Sequence, residues 1–112
     1  MSAASRFEYT GDPALEPALT RALKSVIDPE MALDVVELGL VYAIDVGRDE
    51  ARAKITMTSA ACPVTELIVD EVGYALRKLL GPDVMVHVGV VWDPPWTPER
   101  MSDRARSAMG WD

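Results

Sequence analysis

A single cysteine is the most reactive side chain of this sequence. Cys62 is the only cysteine, and it lies in the segment Met57-Thr58-Ser59-Ala60-Ala61-Cys62-Pro63, between a predicted strand and a predicted helix. This junction places Cys62 at the predicted N-cap of the helix. Unpaired N–H groups and the positive end of the helix dipole stabilise an anion there, and thiols in such positions have a lowered pKa. The sequence therefore predicts a thiolate, which can attack an electrophile or bind metal.

Cys62 alone cannot complete a metal site. The sequence has no Cys-x-x-Cys and no His-Glu-x-x-His, whereas zinc and iron-sulfur centres take about four sulfur or nitrogen ligands. A homodimer would contribute two Cys62 thiolates, and another protein could supply the remaining ligands. A role as a small buried residue is the alternative, because free cysteine is among the most buried residue types.

Hydroxyls and carboxylates form the supporting part of the predicted site. Thr58 and Ser59 could hydrogen-bond a sulfur atom or a bound ligand. Asp28 and Glu30 flank Pro29 and make a stiff carboxylate pair, whose hard oxygens suit iron better than a finished cluster. The structural alternative is an ordinary loop in which Asp28 bonds the local backbone as an Asx turn.

His87 and three tryptophans are further candidates. His87 is the only histidine and falls in a predicted strand, where a lone histidine is more often structural than a metal ligand. Trp92, Trp96 and Trp111 lie near the C-terminus, where an aromatic and proline-rich segment either covers the core edge or binds a partner. We expect core cover to be the main role of these tryptophans.

Composition indicates one small globular domain. The chain has 112 residues, of which 49% are hydrophobic and 26% charged, and 18 acids against 11 bases give a net charge of −7. This charge repels phosphate backbones and argues against nucleic-acid binding. Without an apolar run of membrane-spanning length or an apolar leader, a cytoplasmic protein with no membrane association is expected. We predict a flexible tail over residues 1–12 and a single domain over 13–112.

Hydrophobic periodicity predicts an α+β fold. A small mixed three-stranded sheet with helices packed on one face is expected, in the order α-β-β-α-β plus a short C-terminal helix. The second strand should offer Arg52, Lys54 and Thr56 to solvent. The strand-helix-strand unit favours a parallel crossover, and Thr97 is the predicted cap of the last helix. The predicted elements are a helix over 14–27, strands over 40–46 and 51–57, a helix over 63–80 and a strand over 84–90.

Four motifs follow one another along the sequence. In chain order they are Asp28-Pro29-Glu30, Leu38-Gly39-Leu40-Val41-Tyr42, Thr58-Ser59-Ala60-Ala61-Cys62-Pro63 and Val91-Trp92-Asp93-Pro94-Pro95-Trp96. Together they resemble the family long labelled domain of unknown function 59, and the similarity covers residues 17–110. That family includes the SufT-like and MIP-type proteins of iron-sulfur cluster maturation and the PaaD-like proteins of phenylacetate-degradation clusters.

The resemblance implies a non-catalytic factor that assembles iron-sulfur clusters or delivers them to client proteins. It places the family's reactive cysteine on Cys62, its hydroxyl pair on Thr58 and Ser59, and its acidic turn on Asp28 and Glu30. Iron or a transient cluster would be bound rather than a permanent cofactor, and the partners would be assembly machinery and client apo-proteins.

Other functions remain open at this point. The PaaD-like branch carries an additional cysteine-rich C-terminal segment that this sequence lacks, so the resemblance favours the SufT-like branch over an accessory role in a phenylacetyl-CoA oxygenase system. An enzyme that uses Cys62 as a nucleophile or redox thiol is a second alternative, although no paired base is evident. A third is a pure adaptor that binds other proteins through its sheet face or tryptophan segment.

Overall fold

Alternating apolar residues on both sides of the turn at residues 47–49 build the central hairpin of the fold. The computed structural model describes residues 7–58 and 63–110. In chain order the elements are β1 (Glu8–Thr10), α1 (Glu16–Leu23), β2 (Ile27–Asp28), β3 (Leu33–Asp34), β4 (Val41–Val46), β5 (Glu50–Ile55), α2 (Thr65–Leu80), β6 (Met85–Val90) and α3 (Asp103–Met109).

The described residues form a four-stranded mixed sheet and a separate two-stranded hairpin. The sheet order is β1-β4-β5-β6, in which β4 and β5 pair antiparallel while β1 and β6 pair parallel to their neighbours. The α+β class and the parallel crossover through α2 are confirmed. The prediction of three strands is wrong, because β1 adds a fourth.

The additional strand lies inside the segment predicted to be a loose tail. Tyr9 of β1 is in register with Ile44 of β4, and the preceding Phe7 is buried in the core. A three-residue edge strand is too short to give a clear alternating pattern, which is why the sequence did not reveal it. Residues 1–6 lie outside the described residues.

One face of the sheet is covered by helices and the other is open. Along β5 the residues Ala51, Ala53 and Ile55 are buried, and the charged residues between them are exposed. Thr56 departs from the prediction because it is fully buried. It lies beyond the last residue of β5, where its N–H donates to the Leu40 carbonyl, so the alternation of the strand no longer decides its exposure.

The core lies between the helix-covered face and α1 and α2. Its largest fully buried side chains come from α1, α2, β4, β5 and the segments that lead into and out of this hairpin, so the helices and the sheet are joined in a single apolar cluster. No helix within residues 7–58 and 63–110 is long and apolar enough to cross a bilayer. The largest of these side chains are Leu19, Leu23, Leu38, Leu40, Ile44, Ile55, Met57, Ile68 and Leu76.

The first and last helices are shorter than predicted. α1 ends at Leu23, and the chain then forms the small β2–β3 hairpin in place of the expected loop. In the last helix the predicted cap Thr97 instead precedes a short 3-10 turn. Ser102 caps α3, because Met101 takes extended geometry and the Ser102 hydroxyl accepts a hydrogen bond from the Ala105 N–H at 3.0 Å.

Residues 91–101, called here the C-terminal strap, fold back over the segment that leads into β4. The indole Nε1 of Trp96 donates to the Leu38 carbonyl at 2.8 Å, and the Tyr42 hydroxyl donates to the Pro94 carbonyl at 2.8 Å. The Arg100 guanidinium lies 4.4 Å from the centre of the Tyr42 ring. Trp96 therefore covers the core edge as predicted, whereas Trp92 stays exposed and Trp111 lies outside the described residues.

Candidate functional site

Three of the five predicted site residues fall in the described part of the chain. These are Asp28, Glu30 and Thr58. Ser59 and Cys62 lie outside the described residues, so their roles stay predictions. The structure can nevertheless show how the segments on both sides of residues 59–62 are held.

The acidic turn is a rigid, hydrogen-bonded structure. Asp28 is only 2% exposed, and its Oδ1 accepts hydrogen bonds from the N–H of Glu30 at 2.8 Å and of Met31 at 3.4 Å. Asp28 also pairs with Leu33 across the β2–β3 hairpin. This is the Asx-type turn named above as the structural alternative for Asp28, and it leaves Glu30 as the exposed carboxylate of the pair.

A chain of backbone hydrogen bonds connects the acidic turn to the end of β5. The Val35 N–H donates to the Val26 carbonyl at 3.0 Å, and the Leu40 N–H donates to the Val35 carbonyl at 3.0 Å. The Leu40 carbonyl in turn accepts from the Thr56 N–H at 2.8 Å. The turn and the segment that leads to Cys62 are therefore parts of one framework, although no hydrogen bond between Asp28 and Thr58 exists among the described residues.

The N-terminus of α2 lies further along the chain than predicted. The helix begins at Thr65 with Val64 at the N-cap, so Cys62 precedes the N-cap by two residues and does not occupy it. Pro63 and Val64 form a turn, and the first helical bond runs from the Ile68 N–H to the Val64 carbonyl at 3.0 Å. Because valine has no hydrogen-bonding side chain, the N-cap offers no side-chain acceptor to the first N–H groups of α2, and Glu66 is the acidic residue of the first turn.

The buried hydroxyl of Thr56 lies close in sequence to the predicted site and was not predicted from the sequence. The Thr56 Oγ1 is buried and has no hydrogen-bond partner in the described part of the chain. Leaving a buried hydroxyl unpaired costs about 1–3 kcal/mol, so such a group calls for a structural or functional explanation. The alternation of β5 predicted that Thr56 would be exposed to solvent, and no other feature of the sequence indicated that it is buried.

His87 lies apart from this framework, on the open face of the sheet. Its Nε2 is 3.6 Å from Glu50 Oε2, and both side chains are about half exposed. Within residues 7–58 and 63–110 no group of three or more His, Asp or Glu side chains is arranged to hold a metal ion. The structure pairs His87 with a surface carboxylate and does not bring it to the other candidates.

Substitutions at Asp28 separate its structural role from its charge. Asp28→Ala removes the acceptor of the turn and is expected to lower the free energy of unfolding by about 1–2 kcal/mol, since two N–H groups lose their partner. Asp28→Asn keeps an acceptor oxygen and should lose less than half of that amount. Urea denaturation of both variants measures the difference, and equal losses would contradict the proposed hydrogen-bonding role.

The chain is similar to two bacterial proteins that are named as Fe-S protein maturation auxiliary factors. The chain is 44% identical over 101 residues to the Fe-S protein maturation auxiliary factor YitW of Bacillus subtilis, covering 88% of this chain and 97% of that protein. It is 42% identical over 88 residues to the Fe-S protein maturation auxiliary factor SufT of Staphylococcus aureus, covering 76% of this chain and 97% of that protein.

The fold and the family agree with these relatives. A crystal structure of a domain of unknown function 59 from Bacillus anthracis superposes with a TM-score of 0.79 at 42% identity, covering 88% of this chain and 94% of that one. The profile of the family described as "Iron-sulfur cluster assembly protein" matches residues 16–90, a span that contains all five candidate site residues. The chain therefore belongs to the family of iron-sulfur cluster assembly proteins.

Proposed function

We propose that this chain is a maturation factor that helps to build iron-sulfur clusters or deliver them to client proteins. The observation that carries the proposal is the family match over residues 16–90 together with relatives named as maturation auxiliary factors. In this role the chain acts without catalysing a reaction of its own. The Cys62 thiolate binds iron or a labile cluster as cargo, and the acidic turn and the hydroxyls support it.

The cargo is bound transiently because one chain supplies too few ligands. The sequence has a single cysteine, and no other set of metal-binding side chains is assembled in the described residues. An iron-sulfur cluster takes four protein ligands in its common forms, so the other ligands come from an assembly protein or from the client. A site completed only in a complex releases its cargo when that complex separates.

The two carboxylates of the acidic turn have different tasks in this proposal. Asp28 is committed to the backbone of the turn and holds its shape, while Glu30 is exposed and available to a hard cation such as ferrous iron. Thr56 and Thr58 supply hydroxyls at the end of β5, immediately before the segment with the thiol. Glu30→Gln should therefore weaken iron binding without loss of fold. Asp28→Asn should affect iron binding only through the shape of the turn.

Anaerobic reconstitution tests the proposed thiol ligand. The purified chain is incubated with ferrous iron and sulfide, and bound iron and sulfide are counted while absorbance reports sulfur-to-iron charge transfer. We expect the wild-type chain to acquire a labile chromophore that Cys62→Ala does not acquire. Equal iron and sulfide content in the two proteins would rule out the thiol as the ligand.

A further inference from the structure

The outward face of α2 combines large apolar side chains with separated charges. Leu67 is 45% exposed and Tyr74 is 62% exposed, and the two lie seven residues apart on the same side of the helix. Beside Tyr74 runs a groove of 680 Å³ between α1 and α2, whose apolar lining includes Val26, Ala75 and Leu79. A bulky knob and an apolar groove thus lie next to each other on one surface.

The charges on this face are ordered along the helix. Glu66, Asp70 and Glu71 occupy the first half of α2, while Arg77 and Lys78 occupy the second half. Neither Glu71 nor Lys78 forms an ion pair with any residue in the ranges 7–58 and 63–110. Glu71 and Lys78, which both border the groove, are placed almost symmetrically about Tyr74.

We propose that a second copy of this chain docks on this surface, with the two α2 helices antiparallel about a two-fold axis near Tyr74. In a two-fold interface the same patch meets itself, so a residue that precedes the axis faces one that follows it. Glu71 of one copy then meets Lys78 of the other, twice. Each Tyr74 enters the groove of the opposite copy, and a parallel arrangement would instead bring like charges together.

Complementary charges on the α2 surface favour a second copy of this chain as its binding partner. A net charge of −7 on each chain opposes association in general, so the contact must be one where opposite charges meet. The antiparallel arrangement satisfies this condition and also covers the exposed Tyr74 and Leu67. The dimer therefore weakens as salt screens the two ion pairs.

This dimer keeps the N-termini of the two α2 helices apart. Thr65, the first residue of α2, is nine residues from Tyr74, which at 1.5 Å per residue is roughly 14 Å along the axis. The two helix N-termini are then about 28 Å apart. The arrangement therefore differs from one in which the two helix N-termini meet at the dimer axis.

Charge exchange tests the interface by sedimentation velocity over a range of protein concentrations. Glu71→Lys and Lys78→Glu should each raise the dimer dissociation constant by about tenfold, because each places like charges opposite one another. The double variant should return to within about threefold of wild type. Tyr74→Ser should also weaken the dimer, whereas Asp49→Lys and Met85→Ser, on other surfaces, serve as controls without effect.

The double variant also separates this proposal from a purely helical role of the charges. If Glu71 and Lys78 serve only the dipole of their own helix, exchanging them is the most destabilising change and gives no recovery of association. The proposal is overturned if the wild-type chain stays monomeric at high concentration. It is also overturned if the dimer dissociation constant of the double variant is no lower than those of the single variants. Distances between spin labels attached at Glu66→Cys in a Cys62→Ala background provide the second readout, and a separation well below 20 Å also overturns the proposal.

Discussion

Cys62→Ala is expected to abolish the ability of this chain to support client iron-sulfur enzymes. In a strain that lacks the gene, wild-type protein should restore the activity of such enzymes, and the alanine variant should restore almost none of it. The reason is that alanine removes the only thiolate of the chain, and neither a carboxylate nor a hydroxyl replaces sulfur as a ligand for a soft cluster.

Two controls accompany this variant: the thermal stability of the variant protein and the activity of an enzyme that contains no cluster. Thermal unfolding should show Cys62→Ala to be folded, and an enzyme without a cluster should be equally active in both strains. Cys62→Ser should fail like alanine, because a serine hydroxyl stays protonated at neutral pH. Full rescue by Cys62→Ala would favour a pure adaptor, which acts through surfaces and needs no thiol.

Gly39→Ala is expected to destabilise the fold by about 3 kcal/mol or more, since two penalties combine. The backbone of Gly39 has a φ of +76°, which is unfavourable for residues with a side chain. In addition, a Cβ at this position would lie 2.2 Å from the Arg100 carbonyl oxygen in the C-terminal strap. The strap would have to move, and with it the Trp96 bond to Leu38.

Gly110→Ala is the matched control for this substitution. Gly110 has the same φ of +76° at the end of α3, but a Cβ there would have no neighbour within 4 Å among residues 7–58 and 63–110. Its cost should be about 1 kcal/mol, the conformational penalty alone. Urea midpoints of both variants measure the difference. Equal losses would contradict the prediction, because they would mean that a Cβ at position 39 meets no resistance from the strap.

The strongly periodic elements were predicted well from the sequence. The stripe of α2 and the alternation of β5 and β6 each extend over six or more residues, and burial on one side enforces that pattern. The expected alternation of β4 is interrupted, because its pairing with β5 shifts register between Val41 and Ala43. The parallel crossover followed from the order of the elements. These features depend on local sequence and on the covering of one sheet face.

The remaining differences arise where tertiary contacts decide the structure. β1 is held by pairing with β4 and by the burial of Phe7. A three-residue segment is too short for its sequence to predict either contact. Pro63 suits the first turn of a helix, yet α2 begins at Thr65 after a turn. Thr56 is buried because the chain beyond β5 bonds to Leu40, a contact between distant segments.

The candidate site was predictable in part. The Asx turn at Asp28 follows from residue type and the adjacent Pro29, and the structure shows its hydrogen bonds. Its connection to the end of β5 runs through Val35 and Leu40, and no sequence pattern specifies that link. The roles of Ser59 and Cys62 stay predictions, which the reconstitution and client experiments address.

The pairing of the sheet also implies an order of folding. The turn between β4 and β5 closes over a few residues, whereas β1 reaches β4 and β6 reaches β5 across about 35 residues each. Loop-closure entropy then favours early formation of the hairpin, followed by the outer strands. Amide hydrogens of the hairpin should accordingly exchange most slowly with solvent, and those of β1 fastest among the strands of this sheet.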